Sequence, residues 1–303
     1  MILLGLFPML LLTTFIANKM IKDYSEALSS QYEQASEYVL SSMESMFDNY
    51  NTISQMPYYY NMGVVSGVDS YLSFDNFRKI LTGEEYSAET METDRERDMK
   101  SFLQYIQSVD NYINSVHVIA PQEKGQDLAF HYSVYNTFFN NEDEFEEMVE
   151  YAELDTDYKK LILIPPHTAA YFYGNPDKVF TVARNYYDLR GPVGKTPYVA
   201  TIYIDIDQKK IEKIFQSVRF TGNEQIYVVD ENGKCFYSND ADTIGNNLTQ
   251  KLAEIRGDKQ IFTVAADGKK YGLSVYICMD AETAFSDIQR MQRLMYVCIM
   301  MSI

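Results

Sequence analysis

No glycine or proline interrupts the chain between Met20 and Met56, and apolar side chains recur there at helical spacing. Leu28, Tyr32, Ala35, Val39, Met43, Met46, Tyr50 and Ile53 follow one another at intervals of 4, 3, 4, 4, 3, 4 and 3 residues. The average is close to the α-helical repeat. At 1.5 Å per residue a helix over residues 20–56 spans ~55 Å, far more than one small domain needs. Such a helix is either a coiled-coil seam or a spine with domains packed along it. In both cases it is a rigid rod.

The rod begins at an apolar run. Residues 1–17 carry no charge, and the first charged side chain is Lys19. This run sits at the short limit for crossing ~30 Å of hydrocarbon. It lacks the basic start of a signal peptide, so residues 1–17 read as a first transmembrane segment. At the other end residues 294–303 (LMYVCIMMSI) are uncharged and mostly apolar. They read as the start of a second transmembrane segment, and two spans would place residues 18–293 on one side of the membrane. Charge does not choose the side: Lys19, Lys22, Arg290 and Arg293 flank both runs from within the loop.

Composition narrows the partners. With 26 Lys+Arg against 43 Asp+Glu the formal net charge is −17, which repels phosphate backbones and sets nucleic acid aside. Tyrosine is abundant (26) and tryptophan absent. The three cysteines, Cys235, Cys278 and Cys298, match no zinc spacing. A Cys235–Cys278 bridge and two unrelated buried thiols are both compatible with the sequence.

Residues 57–207 and 208–293 each read as a mixed unit. In the first, residues 94–111 have helical periodicity after a polar loop at 83–92. Residues 115–120 and 127–134 form a hairpin, 141–151 an acidic helix, and 161–166 a further β run. The clearest strands are 179–188 and 198–207, joined by the turn LRGPVGKTP, with strict alternation in YVATIYIDID. In the second unit a helix at 208–217 precedes a hairpin of 225–229 and 234–238. A short helix at 248–255, a hairpin of 260–265 and 271–279, and a helix at 280–293 follow. Sequential hairpins mean antiparallel sheets, hence an α+β fold.

No motif carries catalytic chemistry. Gly191–Thr196 (GPVGKT) imitates a phosphate-binding loop, but Leu189 stands where the first glycine is required and Pro197 where a helix should open. His117, His131 and His167 are dispersed, and His131 in a strand reads as a structural histidine. Asp205 and Asp207 share a strand face without an identifiable acid partner. Asp230 and Asn232 sit in a turn that lacks the other ligands of a calcium loop. No metal, cofactor or catalytic residue is therefore expected. The remaining signal is a tyrosine cluster with one arginine: Tyr132, Tyr135, Tyr171, Tyr173, Tyr186, Tyr187 and Arg184. Aromatic rings with polar tips suit a small polar ligand, and a guanidinium could fix a carboxylate or sugar hydroxyl. Core filling and a structural ion pair explain the same residues.

Two stretches carry a family resemblance. VFTVARNYYDLRGPVGKTPYVATIYIDIDQKKIEKIF (179–215) and IYVVDENGKCFYSNDADTIGNNL (226–248), together with the layout of span, long helix and two units, resemble the double-Cache (dCache) extracellular sensor regions of bacterial transmembrane receptors. In style they are most similar to sensor histidine kinases of the YesM type. The resemblance implies a long helix followed by two PAS-like (Cache) units, membrane-distal then membrane-proximal. It also implies an extracytoplasmic location, two membrane spans and a homodimer. It implies no enzyme activity in this segment, with a kinase following the second span. A small polar ligand would bind the distal unit around Tyr132, Tyr171, Tyr173, Arg184 and Tyr186. A carbohydrate-like ligand is favoured, because amino-acid-binding members carry a tryptophan motif that this chain lacks. The sensor of a chemotaxis receptor or diguanylate cyclase, or a pocketless adhesion module, are the competing expectations.

Overall fold

A computed structural model of the chain describes residues 2–60, 74–83, 86–87, 89–121, 127–134, 139, 145, 160–172, 177–189 and 197–301. The expected helix at 141–151 and the GPVGKT turn lie outside the described residues, apart from Phe145. The periodic stretch is helical and longer than expected: α1 covers Ile2–Ser54. Tyr32, Val39, Met43, Met46, Tyr50 and Ile53 are buried along it, whereas Leu28 and Ala35 are half-buried. Residues 2–17 of the first apolar run open the first helix, and residues 294–301 of the second close the last. Among the described residues no helix is long and apolar enough to cross a membrane.

The chain divides into two compact units, Ser45–Lys213 and Met1–Glu44 with Ile214–Ile303, so α1 contributes to both. In the first unit α1 is followed by α2 (Met56–Tyr60), α3 (Phe74–Thr82) and α4 (Met91–Ser108). The helix α3 is not apparent from sequence. It buries Phe74, Phe77, Ile80 and Leu81, and Arg95 of α4 satisfies its open C-terminal carbonyls at Ile80 and Leu81. Five strands follow: β1 (Ile113–Ala120), β2 (Leu128–Ser133), β3 (Ile162–Thr168), β4 (Lys178–Tyr187) and β5 (Tyr198–Asp207). They pair antiparallel in the order β2-β1-β5-β4-β3. Pro165 and Pro166 are tolerated in β3 because it is an edge strand, and the register shifts there between Ile164 and His167.

Alternation along the strands separates the two sheet faces. One face carries Val116, Val118, Val182, Arg184, Ile202 and Ile204, which the register aligns. Onto it α1 packs Phe47 and Tyr50 edge-on against Phe180. The other face carries Ser115, His117, Thr181, Ala183, Tyr203 and Asp205. An aromatic cluster of Phe145, Tyr171, Phe172 and Tyr203 covers it, with Phe139 alongside.

The second unit contains α5 (Lys209–Gln216) from Ile214 onward, then β6 (Gln225–Val229), β7 (Cys235–Ser238), α6 (Thr249–Gly257), β8 (Ile261–Asp267) and β9 (Ser274–Asp280). Its sheet is antiparallel in the order β7-β6-β9-β8. The β6–β7 turn requires glycine: Gly233 has φ 78°, and a Cβ there would lie 2.1 Å from Thr249 Oγ1. The closing helix expected at 280–293 is two helices, α7 (Ala281–Ala284) and α8 (Ser286–Met301), capped at the start by Asp280. Cys235 and Cys278 are both buried and unbridged, within the cluster beneath Leu248 and Leu252.

Candidate functional site

The face of the five-stranded sheet turned away from α1 concentrates polar groups in an apolar setting. Asp205 is completely buried at its centre. Its Oδ2 accepts hydrogen bonds from Ser115 Oγ at 2.5 Å, Tyr171 OH at 2.5 Å and His117 Nε2 at 2.9 Å, and Oδ1 accepts from Thr181 Oγ1 at 2.5 Å. Burial opposes ionisation of this carboxyl, but the adjoining His117 charge and these donors outweigh it and hold Asp205 below the ordinary carboxylate range. Burial, reinforced by the Asp205 charge, pushes the Tyr171 phenol well above its ordinary value, so it remains a donor.

The dispersed histidines meet here. The register sets His117 of β1 opposite His131 of β2, with Nδ1 to Nδ1 at 2.8 Å. His131 stacks on Phe139 with ring centroids 3.8 Å apart and planes at 6°. Burial, then the His117 charge, lowers the His131 pKa to about 3, so its ring is neutral at physiological pH. His167 donates from Nδ1 to the Pro165 carbonyl at 2.9 Å, and its Nε2 lies 3.5 Å from Thr181 Oγ1. Among the described residues no group of three or more His, Cys, Asp or Glu side chains is arranged to hold a metal ion.

Beside the cluster a groove of about 620 Å³ follows the edge strand β2. His131, Ser133, Phe139 and Phe172 border it from the polar face, and Tyr132, Phe130, Glu96, Lys100 and Gln104 from the α4 side. Among the described residues β2 pairs with β1 alone.

The five residues expected to bind ligand are divided by this geometry. Tyr171 belongs to the Asp205 cluster and Tyr132 lines the groove. Arg184 and Tyr186 are buried on the opposite face, against α1. Arg184 donates from Nε to Ser54 Oγ at 2.8 Å and from Nη2 to Asn51 Oδ1, and Tyr186 OH donates to the Ser54 carbonyl at 2.6 Å. Tyr173, like Tyr135, lies outside the described residues. Sequence reasoning weighed His117, His131 and Asp205 and set them aside as dispersed, structural and without an acid partner. Each stands at an alternate position of its strand, facing one side, yet only the β2-β1-β5 pairing order makes them neighbours.

No family model matches the chain, and no curated protein matches it. Solved structures do. The ligand-binding domain of the Pseudomonas aeruginosa PAO1 amino acid chemoreceptor PctB, in complex with L-Gln, is 13% identical with a TM-score of 0.51, covering 86% of this chain and 97% of that one. The periplasmic sensory domain of the Campylobacter jejuni chemoreceptor Tlp1 is 11% identical with a TM-score of 0.50, covering 88% and 98%. The extracellular domain of soHK1S-Z6, assigned as a histidine kinase, is 10% identical with a TM-score of 0.50, covering 90% and 99%. At these identities the likeness is one of fold. The long helix followed by two antiparallel sheets is the architecture of Cache-like sensor domains.

Proposed function

We propose, starting from a chain that shares its fold with receptor sensor domains, that residues 18–293 are the extracytoplasmic sensing part of a bacterial transmembrane receptor. The unit Ser45–Lys213 takes a small polar solute, and no catalysis is assigned to the segment. The observation that carries this reading is the β2-edge groove, bordered by a buried polar cluster beneath aromatic rings. Concave sites lined by aromatic groups, with a few convergent polar atoms, suit small ligands. A pocketless adhesion module has no use for such a groove.

In this reading His131, Tyr132 and Tyr171 stand on the ligand side of the sheet. Arg184 and Tyr186 stand on the α1 side, where a change in the sheet reaches residues 51–54 of the helix. Ligand binding shifts the balance between two arrangements of α1, by no more than its differential affinity for them. The membrane anchors at 1–17 and 294–303 and the homodimer remain part of the proposal. The output is a YesM-type histidine kinase or, as the PctB and Tlp1 likenesses favour, a chemotaxis receptor. The reading frame beyond Ile303 distinguishes them. Two ligand classes fit the groove: carbohydrates, favoured by the absence of tryptophan, and amino acids, such as the L-Gln that PctB binds.

A thermal-shift screen of sugars, amino acids and carboxylates on the full chain in detergent tests the reading. Saturating ligand at ~100 Kd adds ~2.7 kcal/mol and raises the melting temperature by about 5 °C or more. A flat response across all three classes would remove the sensor assignment.

A further inference from the structure

At the end of the five-stranded sheet where β1 and β4 finish and β5 begins, a second cleft of about 690 Å³ is bordered by α3 and α4. It shares no lining residue with the β2-edge groove. Arg95 of α4 borders it, and the open end of α3 holds the guanidinium in place. Nε donates to the Ile80 carbonyl at 2.7 Å and Nη2 to the Leu81 carbonyl at 2.6 Å. An arginine has five N–H donors, and these bonds use two of them. Among the described residues no carboxylate pairs with Arg95 and no further acceptor takes its remaining donors. Arg78 of α3 brings a second guanidinium to the same cleft. Leu81, Ala120, Pro121, Pro197 and Val199 supply an apolar part of the lining. The two prolines carry no N–H, so the polar donors come from the helix side.

We propose that this cleft is a second ligand site, independent of the β2-edge groove, and that it takes a small organic monocarboxylate with an apolar body. Arg95 receives the carboxylate. Arginine is charged at every accessible pH, so this step depends on no choice of protonation state. A guanidinium already anchored by two backbone carbonyls loses little freedom on binding, and its planar fork matches a carboxylate. The apolar lining takes the body of the ligand and excludes water from the pair. Asp188 also borders the cleft, and its negative charge penalises a second charge on the ligand. A phosphate or dicarboxylate is disfavoured on that ground. Because Arg95 also closes the end of α3, an occupied site braces α3 against α4.

Titration of the full chain, labelled with 15N-arginine in detergent, tests this. The probes are 3-methylbutanoate, its neutral amide 3-methylbutanamide, and inorganic phosphate. 3-Methylbutanoate is expected to shift the Arg95 Nε–H resonance saturably and to slow hydrogen exchange at the end of α3, whereas the amide and phosphate bind at least tenfold more weakly. Arg95→Gln should weaken 3-methylbutanoate binding at least tenfold. That variant also loses the α3 closure and could fail to fold, so Val199→Trp provides the second arm. It fills the apolar side of the cleft, leaves Arg95 and its two carbonyls in place, and should reduce affinity at least tenfold. Binding that survives Val199→Trp unchanged, equal binding of the amide or of phosphate, or no shift at Arg95 each overturns the proposal. None of these results touches the sensor reading, which rests on the other groove.

Discussion

At the scale of single residues, Arg184 and Asp205 are buried on opposite faces of the five-stranded sheet. Arg184 is 1% exposed and bonded to Ser54 and Asn51, so it fastens the end of α1 to β4. Arg184→Ala strands those acceptors and is expected to cost about 3 kcal/mol, given that hydrogen bonds from charged donors contribute ~1.5–3 kcal/mol each. Urea unfolding of the variant measures it, and a loss below 1 kcal/mol would contradict this role. On the opposite face, the depressed pKa of His131 links stability to pH. The unfolded chain binds a proton at His131 as pH falls below its ordinary value of 6.5, whereas the folded chain resists until about 3. The unfolded state then holds more protons, so stability declines as pH falls through that window. Asp205, whose folded pKa is also depressed, adds a further loss only below the ordinary carboxylate range. Melting temperatures measured from pH 7 to 4 should fall for the unaltered protein and fall less for His131→Gln.

At the scale of elements, a loop of the second unit holds the α1 segment that belongs to the same unit. Glu224 is buried and accepts from Tyr32 OH at 2.6 Å, from Thr221 N at 2.9 Å and Oγ1 at 2.8 Å, and from Gly222 N at 2.8 Å. Burial resists ionisation of Glu224, but the Tyr32 hydroxyl and the backbone donors lower its pKa overall. This one side chain joins the loop before β6 to the middle of the helix. Tyr32→Phe keeps the ring against Phe262 and removes only the hydroxyl bond. It should cost ~1–2 kcal/mol, and hydrogen exchange should quicken locally in residues 221–224. Unchanged exchange there would mean the bond does not restrain the loop.

At the scale of the whole molecule, a charge of −17 acts on every element at once. Self-repulsion of like charges weakens the compact state, and salt screens it with a Debye length of ~10 Å at 0.1 M. The melting temperature of the full chain should therefore rise between low salt and ~0.15 M, and a fall would show that attractive surface pairs dominate. The rod, the strand alternation and the α+β class were legible in the sequence, because each depends on periodicity within one segment. The placement of Arg184 followed less directly: its strand was evident, but which face α1 would cover was not. The helix α3 was invisible, since its short apolar pattern acquires meaning only against α4. The meeting of His117, His131 and Asp205 was decided by tertiary structure alone. These residues lie on three strands separated by up to 88 positions, and strand order, unlike strand periodicity, leaves no mark within any single segment.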